Sequence, residues 1–199
     1  MRVLAFSDLH LSRARATELV EASHKADLVV GAGDFCNKRE GLSEAMALIA
    51  GMAAPCVVVP GNCESADELR AAANPGMTVL HGDAADIDGL TLFGLGYGVP
   101  ETPFGAWSCD LSEEAAEGML GACDGADIMV FHSPPKGIAD VTSSGLSVGS
   151  VAIRDAIERV QPQLAVYGHI HDAWGERGQI GATEVANLGP SANWFDVVL

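Results

Sequence analysis

The fold is decided near the start of the chain by the stretch VLAFSDLH, residues 3–10. Its first four residues are all apolar and do not alternate with polar ones, which is typical of a strand buried on both faces of a sheet. Asp8 and His10 follow directly, and carboxylate and imidazole groups are common metal ligands in proteins. The same order, an apolar run and then metal-binding side chains, recurs along the rest of the chain.

Four later apolar runs, at residues 28–30, 56–59, 128–131 and 164–167, are predicted to be buried strands of the same kind. They are followed by GAGD (31–34), PGNCE (60–64), HSP (132–134) and GHIH (168–171). In an open sheet, ligands bind at the carboxyl ends of the strands. We therefore expect one cluster made of Asp8, His10, Asp34, Asn62, His132, His169 and His171.

Helical spacing of apolar residues occurs between the strands, at residues 14–26, 41–52, 112–122 and 150–160. A hairpin is predicted over residues 86–93 with its turn at Asp88 and Gly89, following a short strand at 78–80. Further strands are expected at 182–187 and 195–199. This alternation predicts an α/β layered fold with sheet against sheet and helices outside. Because no repeat or linker interrupts it, residues 1–199 are predicted to form one domain.

The composition narrows the possible partners and compartments. Lys and Arg number 11 against 27 Asp and Glu, a formal net charge of −16, so a long nucleic acid is not an expected partner. The 5 cysteines show no framework of short spacings, which favours a reducing compartment. The N-terminal apolar run is too short for a signal peptide, and no run has the length of a membrane span. We therefore expect a cytoplasmic protein without a membrane partner, and its oligomeric state stays open.

The predicted ligands narrow the choice of metal. Four imidazoles, two carboxylates and one amide oxygen suit Mn, Fe, Co, Ni or Zn better than Mg or Ca, which prefer oxygen ligands. Seven protein ligands are too many for one zinc ion and suit a pair of ions bridged by a carboxylate and a water-derived oxygen. The positive charge of two divalent ions exceeds the negative charge of Asp8, Asp34 and a bridging hydroxide by roughly one unit. This remaining positive charge attracts a phosphate ester.

In this order the motifs resemble those of the calcineurin-like metallophosphoesterase family. The matching segments are Asp8-Leu9-His10, Gly33-Asp34, Gly61-Asn62-Cys63-Glu64, His132 and Gly168-His169-Ile170-His171. Residues 132–135 and 148–150, together with Asn187 and Gly189, most resemble a small, single-domain phosphodiesterase-like branch. The resemblance extends over nearly the whole chain.

The resemblance implies a four-layer α/β/β/α sandwich and two divalent or trivalent transition-metal ions, Mn²⁺, Fe²⁺ or Fe³⁺, Ni²⁺, Co²⁺ or Zn²⁺. One ion would be held by Asp8, His10, Asp34 and His171, and the other by Asp34, Asn62, His132 and His169. Asp34 would bridge them, and a hydroxide between the ions would attack phosphorus in line. The residues expected to act in catalysis are Asp34, Asn62, Cys63, Glu64 and His132.

Cys63 departs from the family pattern, which usually has His after the Asn. A neutral thiol is a poorer general acid than an imidazolium at neutral pH, because its reference pKa lies near 8.5. We therefore expect activity on esters with good leaving groups. Glu64 would ordinarily orient the missing His, so its role here is open, and Cys63 is either a participant in catalysis or simply a packed side chain.

The expected substrate is a small phosphodiester, with a nucleotide as one possibility. Lys38, Arg39 and Lys136 follow the metal-binding motifs and either contact the substrate phosphate or are solvated. The loops at residues 97–109 and 142–149 are the expected pocket walls, where Phe104 and Trp107 either stack on a nucleobase or are buried. Alternatives are a phosphomonoesterase and a metal-binding scaffold protein. A repair nuclease is a less favoured alternative, because no basic groove is evident.

Overall fold

The computed structural model describes all 199 residues and contains two β-sheets. From edge to edge, the first sheet consists of β11 (Asn193–Asp196), β1 (Arg2–Phe6), β2 (Leu28–Gly31), β3 (Cys56–Val58) and β4 (Met77–Val79). The second consists of β5 (Asp83–Ile87), β6 (Leu90–Leu95), β7 (Ile128–Phe131), β8 (Leu164–Tyr167), β10 (Thr183–Asn187) and β9 (Arg177–Ile180). The five helices are α1 (Arg13–Ser23), α2 (Leu42–Leu48), α3 (Ala66–Ala72), α4 (Glu113–Leu120) and α5 (Val151–Val160).

Three apolar layers hold these elements together. Within β2, Leu28 and Val30 belong to the core between the two sheets, whereas Val29 belongs to the core under α1, α2 and α3. A third core lies between the second sheet and α4 and α5. Both faces of the central strands are therefore buried, which explains why their sequences are continuously apolar. The predicted α/β/β/α sandwich is confirmed.

The register of the parallel strands brings their carboxyl ends together. Phe6 of β1 pairs with Gly31 of β2, which in turn pairs with Val58 of β3. In the second sheet Leu95 of β6 pairs with Phe131 of β7. Beyond these ends, the backbone of Ser7 donates to the carbonyl of Gly189 at 2.8 Å, and so joins the first sheet to the loop after β10.

Most predicted elements are present, with shifted bounds. The Asp88–Gly89 turn joins β5 and β6 as an antiparallel hairpin. The strand predicted at 195–199 was placed too late, because β11 spans Asn193–Asp196 and ends once its pairing with β1 stops. The short helix α3 and the edge strand β9 were not predicted. The assignment of residues 1–199 to one domain stays a prediction, and none of the helices has the length and apolar character needed to cross a bilayer.

Candidate metal centre

The five motif loops meet where the carboxyl ends of the two sheets come together. Four of the expected ligands, Asp8, His10, Asp34 and His169, have left-handed backbones with φ of 51°, 44°, 56° and 67°. Non-glycine residues adopt this conformation rarely and at a cost of about 1–3 kcal/mol each, and only surrounding structure keeps them there. Such a concentration of strained residues is typical of a functional site.

One half of the site brings together Asp8, His10 and His171. Nε2 of His10 lies 3.3 Å from Nε2 of His171, which lies 3.6 Å from Oδ1 of Asp8. These are separations expected between atoms that bind one ion at about 2.0–2.2 Å. Nδ1 of His10 donates to the carbonyl of Cys36 at 3.1 Å, which leaves Nε2 unprotonated as a ligand in the neutral ring.

The other half brings together Asp34, Asn62, His132 and His169. Nε2 of His132 lies 3.1 Å from Oδ1 of Asn62 and 3.4 Å from Oδ1 of Asp34. Nδ1 of His132 donates to the carbonyl of Ala32 at 2.8 Å, so this ring also directs Nε2 into the site. The ring of His169 lies 4.9 Å from that of His132.

Asp34 lies between the two halves. Its Oδ2 is 3.6 Å from Nε2 of His10, while Oδ1 faces His132 in the other half. The imidazole and carboxylate donors and the preset Nε2 tautomers fit a pair of transition-metal ions. The structure therefore brings together all seven residues predicted as ligands, and their metal binding itself stays a prediction.

The electric field of the cluster sets the protonation of its members. Burial tends to raise the pKa of Asp8, but the hydrogen bond with His171, the charge of His132 and the hydrogen bond from Ser7 outweigh it and lower that pKa. Burial and the neighbouring charge of His132 lower the pKa of His169 to about 4. At neutral pH Asp8 is thus ionised and His169 is neutral, the forms in which carboxylate and imidazole groups bind metals.

Two residues that position Asp8 were not predicted. Oγ of Ser7 donates to Oδ2 of Asp8 at 2.5 Å, and Nε1 of Trp174 donates to the same oxygen at 3.1 Å. The ring of Trp174 also lies against that of His171, with centroids 4.3 Å apart. Ser7 adjoins Asp8 in the sequence, so its contact with Asp8 could have been inferred. Nothing in the sequence indicates that Trp174 turns back towards Asp8.

Glu64 lies behind the cluster rather than in the cavity. It is fully buried, and its Oε1 accepts hydrogen bonds from the backbone of Asp34 at 2.8 Å and of Gly61 at 2.7 Å. Burial and the adjacent Asp34 carboxylate raise its pKa to about 7. This placement makes Glu64 a support for two motif loops, and its predicted part in catalysis stays a prediction.

Cys63 lines the cavity beside Asp34. Its backbone donates to Oδ1 of Asp34 at 2.8 Å, and its thiol donates to Oδ2 at 3.3 Å. Burial and the Asp34 carboxylate raise the pKa of the thiol, so Cys63 is neutral at physiological pH. It is therefore not a stand-in for an imidazolium, although it does touch a predicted bridging ligand.

The three cations suggested by the sequence occupy different positions. Lys38 lines a cavity of about 780 Å³ beside the cluster, together with Phe104, Trp107 and Asp172. Arg39 makes two hydrogen bonds of 2.8 Å with Glu68 instead, and Lys136 donates to the carbonyl of Ser147 at 2.6 Å. Only Lys38 of these three is therefore placed to meet a bound phosphate.

Comparisons with known proteins agree with this geometry. Over 84 residues the chain is 38% identical to metallophosphoesterase domain-containing protein 1 of Homo sapiens. The aligned region covers 40% of this chain and 26% of that relative. The chain thus spans about a quarter of the relative's length.

Solved structures share the fold. The crystal structure of TT1561 of Thermus thermophilus superposes with a TM-score of 0.77 at 18% identity and covers 99% of each chain. A dimetal phosphatase from Danio rerio gives a TM-score of 0.64 at 12% identity, covering 96% of this chain and 88% of that one. The sequence pattern of the calcineurin-like phosphoesterases matches residues 1–173. With that match over most of its length, the chain belongs to the calcineurin-like phosphoesterase family.

Proposed function

We propose that the chain is a metal-dependent phosphoesterase that hydrolyses small phosphodiesters. The observation that carries this proposal is the convergence of two buried carboxylates, Asp8 and Asp34, with imidazoles whose Nε2 atoms face one another beside an open cavity. Bound transition-metal ions would supply Lewis-acid polarisation of a phosphoryl oxygen and lower the pKa of bound water. Membership of the family supports ester hydrolysis as the reaction.

The residues around the centre support a limited range of leaving groups. Cys63 stands where the family pattern usually has His, but its thiol is neutral and donates to Asp34 at 3.3 Å. Because general acid catalysis works best when the donor's pKa is near the working pH, this thiol protonates a departing alkoxide poorly. We therefore propose that phenol-like leaving groups are preferred to simple alcohols.

The charge of the cavity favours a diester over a monoester. Lys38 is the one Lys or Arg among its lining residues, and Asp172 adds a negative charge to the same lining. A diester carries a single negative charge, whereas a monoester carries up to two and gains more from additional cations. The cavity therefore suits the singly charged substrate.

All five cysteines are free thiols, including the buried neighbours Cys36 and Cys63. The thiol of Cys36 donates to the carbonyl of Cys63 at 3.1 Å, so the two residues lie close together without being bridged. Free buried thiols persist where the surroundings are reducing. We propose a cytoplasmic location on this basis.

The test compares bis(p-nitrophenyl) phosphate with p-nitrophenyl phosphate, each with added Mn²⁺ and with a chelator. We expect Mn²⁺-dependent release from the diester that exceeds release from the monoester. The Asp34→Asn variant keeps the shape of Asp34 but removes the charge shared by both halves, so we expect it to bind less Mn²⁺ and to lose activity. His24→Gln, on the exposed end of α1, is the matched control for the effect of a substitution away from the centre.

Each other outcome points to a different function. Faster release from the monoester would overturn the diester proposal in favour of a phosphomonoesterase. No release from either compound by the Mn²⁺-loaded protein would contradict hydrolysis of such esters and favour the metal-binding scaffold. Equal activity in wild type and Asp34→Asn would show that the hydrolysis does not arise at this centre.

A further inference from the structure

Two aromatic rings stand next to the candidate metal centre and have no part in holding it. Phe104 and Trp107 are stacked with ring planes 9° apart and centroids separated by 5.6 Å. Both lie on the loop between β6 and α4 and line the cavity. The ring of Phe104 is 6.4 Å from that of His169, so the pair begins at the edge of the ligand cluster.

Burial does not explain the presence of Phe104 in this loop. The residue remains 49% exposed, although large apolar side chains are normally placed where water is excluded. Its ring is held by Trp107, which in turn faces the Nζ of Lys38 at 5.6 Å from the indole centroid. A supported aromatic ring that faces an open cavity is a suitable surface for another planar ring.

The loop that carries the rings is fixed to the candidate metal centre. Nδ2 of Asn62 donates to Oγ of Ser108 at 3.0 Å, and the backbone of Cys109 donates to the carbonyl of Asn62 at 2.9 Å. Ser108 and Thr102 both donate to the carboxylate of Asp110, at 2.8 Å each. The aromatic pair therefore has a set position relative to the centre, and a ligand does not have to order the loop when it binds.

The remaining walls restrict what else the ligand contains. Lys38 makes none of the ion pairs in the structure, so it offers one uncompensated positive charge. Asp172 lines the same cavity, and its Oδ2 accepts a hydrogen bond from the backbone of Ser143 at 2.7 Å. Such a lining accepts hydroxyl or amino donors and disfavours a chain of further phosphates.

We propose that Phe104, supported by Trp107, is a stacking surface for the nucleobase of a nucleotide diester whose phosphorus is held at the ligand cluster. This inference rests on the proposed phosphodiesterase function and narrows its substrate class. The ring of Phe104 lies 6.4 Å from that of His169, so a base on Phe104 and a phosphate at the ligand cluster would be close enough to belong to one nucleotide. The single Lys in the lining, Lys38, and the acceptor at Asp172 suit a nucleoside with one phosphodiester group.

The test uses two diesters with the same leaving group, the p-nitrophenyl ester of thymidine 5′-phosphate and methyl p-nitrophenyl phosphate. Base stacking is worth roughly a 5- to 150-fold effect when the aromatic side chain is removed. We expect wild type to prefer the thymidine ester in kcat/KM, and Phe104→Ala to lose that preference by such a factor. Phe104→Leu keeps apolar bulk without a ring, and we expect it to lose most of the preference too.

Controls separate stacking from general damage. Hydrolysis of the methyl ester by Phe104→Ala should fall by a smaller factor than hydrolysis of the thymidine ester, because both esters carry the nitrophenyl ring but only the thymidine ester has a base to stack. Val198→Ala, which removes an exposed apolar side chain near the C-terminus, should leave both rates unchanged. Equal wild-type rates for the two esters, or an equal loss of both in Phe104→Ala, would overturn the stacking proposal.

A binding measurement distinguishes this inference from the proposed function. Calorimetric titration of the Mn²⁺-loaded protein with thymidine 5′-phosphate, and separately with methyl phosphate, needs no turnover. Failure to hydrolyse either ester would refute the phosphodiesterase function. In that case tighter binding of thymidine 5′-phosphate that is lost in Phe104→Ala would still support the stacking surface, and binding that is indifferent to Phe104 would refute it.

Discussion

Gly61 is the position where a single added methyl group tests most directly whether the site depends on backbone geometry. An ideal Cβ at residue 61 would lie 2.1 Å from Oδ1 of Asp34 and 2.2 Å from its backbone nitrogen. The first contact can be relieved by a side-chain rotation, but the second involves backbone that is already tied to Glu64 at 2.8 Å. Gly61→Ala therefore forces the loops of Asp34 and Asn62 apart.

The size of the effect follows from these distances. An ordinary contact at a Cβ is about 3.4 Å or longer, so the two loops must separate by roughly 1 Å. Overpacking of this kind destabilises a fold by about 1–3 kcal/mol. A misplacement of about 1 Å in a catalytic constellation costs on the order of 100-fold in rate. We expect Gly61→Ala to lose far more activity than stability.

The assay combines three measurements on the same preparation: unfolding in urea, Mn²⁺ binding by calorimetry, and Mn²⁺-dependent hydrolysis of bis(p-nitrophenyl) phosphate. Gly118→Ala is the matched control, because a Cβ at residue 118 in α4 meets no atom within 4 Å. Alanine is favoured over glycine inside helices by roughly 0.5–1 kcal/mol, so this variant should be slightly more stable and fully active. If Gly61→Ala retains wild-type activity and Mn²⁺ affinity, then close approach of these loops does not hold the site and our reasoning about it is wrong.

Three further changes test separate parts of the structure. Cys63→His should raise turnover of an alkyl ester by roughly 10-fold or more if a missing proton donor limits it, and unchanged rates in a steady-state assay would contradict that explanation. Glu64→Ala removes the acceptor of two short backbone hydrogen bonds, so we expect urea unfolding to show a loss of about 3 kcal/mol, and a loss below about 1 kcal/mol would argue against Glu64 as a support. Burial lowers the pKa of His81 to about 4, below its value of about 6.5 in the unfolded chain. As the pH falls, the imidazole of the unfolded chain is therefore protonated before that of the folded chain. The stability contributed by the neutral ring is full above about pH 6.5 and is lost towards pH 4. Because the ring is partly exposed, we expect His81→Gln to remove only about 1 kcal/mol of this pH dependence of stability. The control variant His24→Gln should keep the pH dependence. Identical urea midpoints across pH for wild type and His81→Gln would exclude the effect.

The candidate centre was predictable to the extent that its ligands follow buried strands. Each motif lies next to a continuous apolar run, and parallel register then brings the strand ends together without any further information. The same logic predicted the fold class. It could not indicate α3, which is only seven residues long and is stabilised by a capping box between Ser65 and Glu68 directly after the motif at residues 61–64.

Contacts that depend on loop paths were beyond the reach of sequence reasoning. Trp174 reaches Asp8 only because the chain turns back after His171, and no periodic pattern records such a turn. The sequence also did not distinguish which of Arg39 and Lys38 would face the substrate, since both follow Asp34 in the same loop. Their difference arises from tertiary structure, because Glu68 on α3 captures Arg39 and leaves Lys38 at the cavity.

Contacts within the protein orient the predicted ligands without a bound ion. Nδ1 of His132 is committed to a carbonyl and Oδ1 of Asp34 accepts from the backbone of Cys63, so each side chain keeps its orientation through contacts that need no metal. The strain of the left-handed residues is offset by the packed strand ends beside them. We therefore expect a chelator to abolish hydrolysis while leaving far-ultraviolet circular dichroism unchanged and thermal unfolding cooperative. Loss of helical signal or of cooperative unfolding on chelation would show instead that the ions build the site, because metal binding would then be coupled to folding.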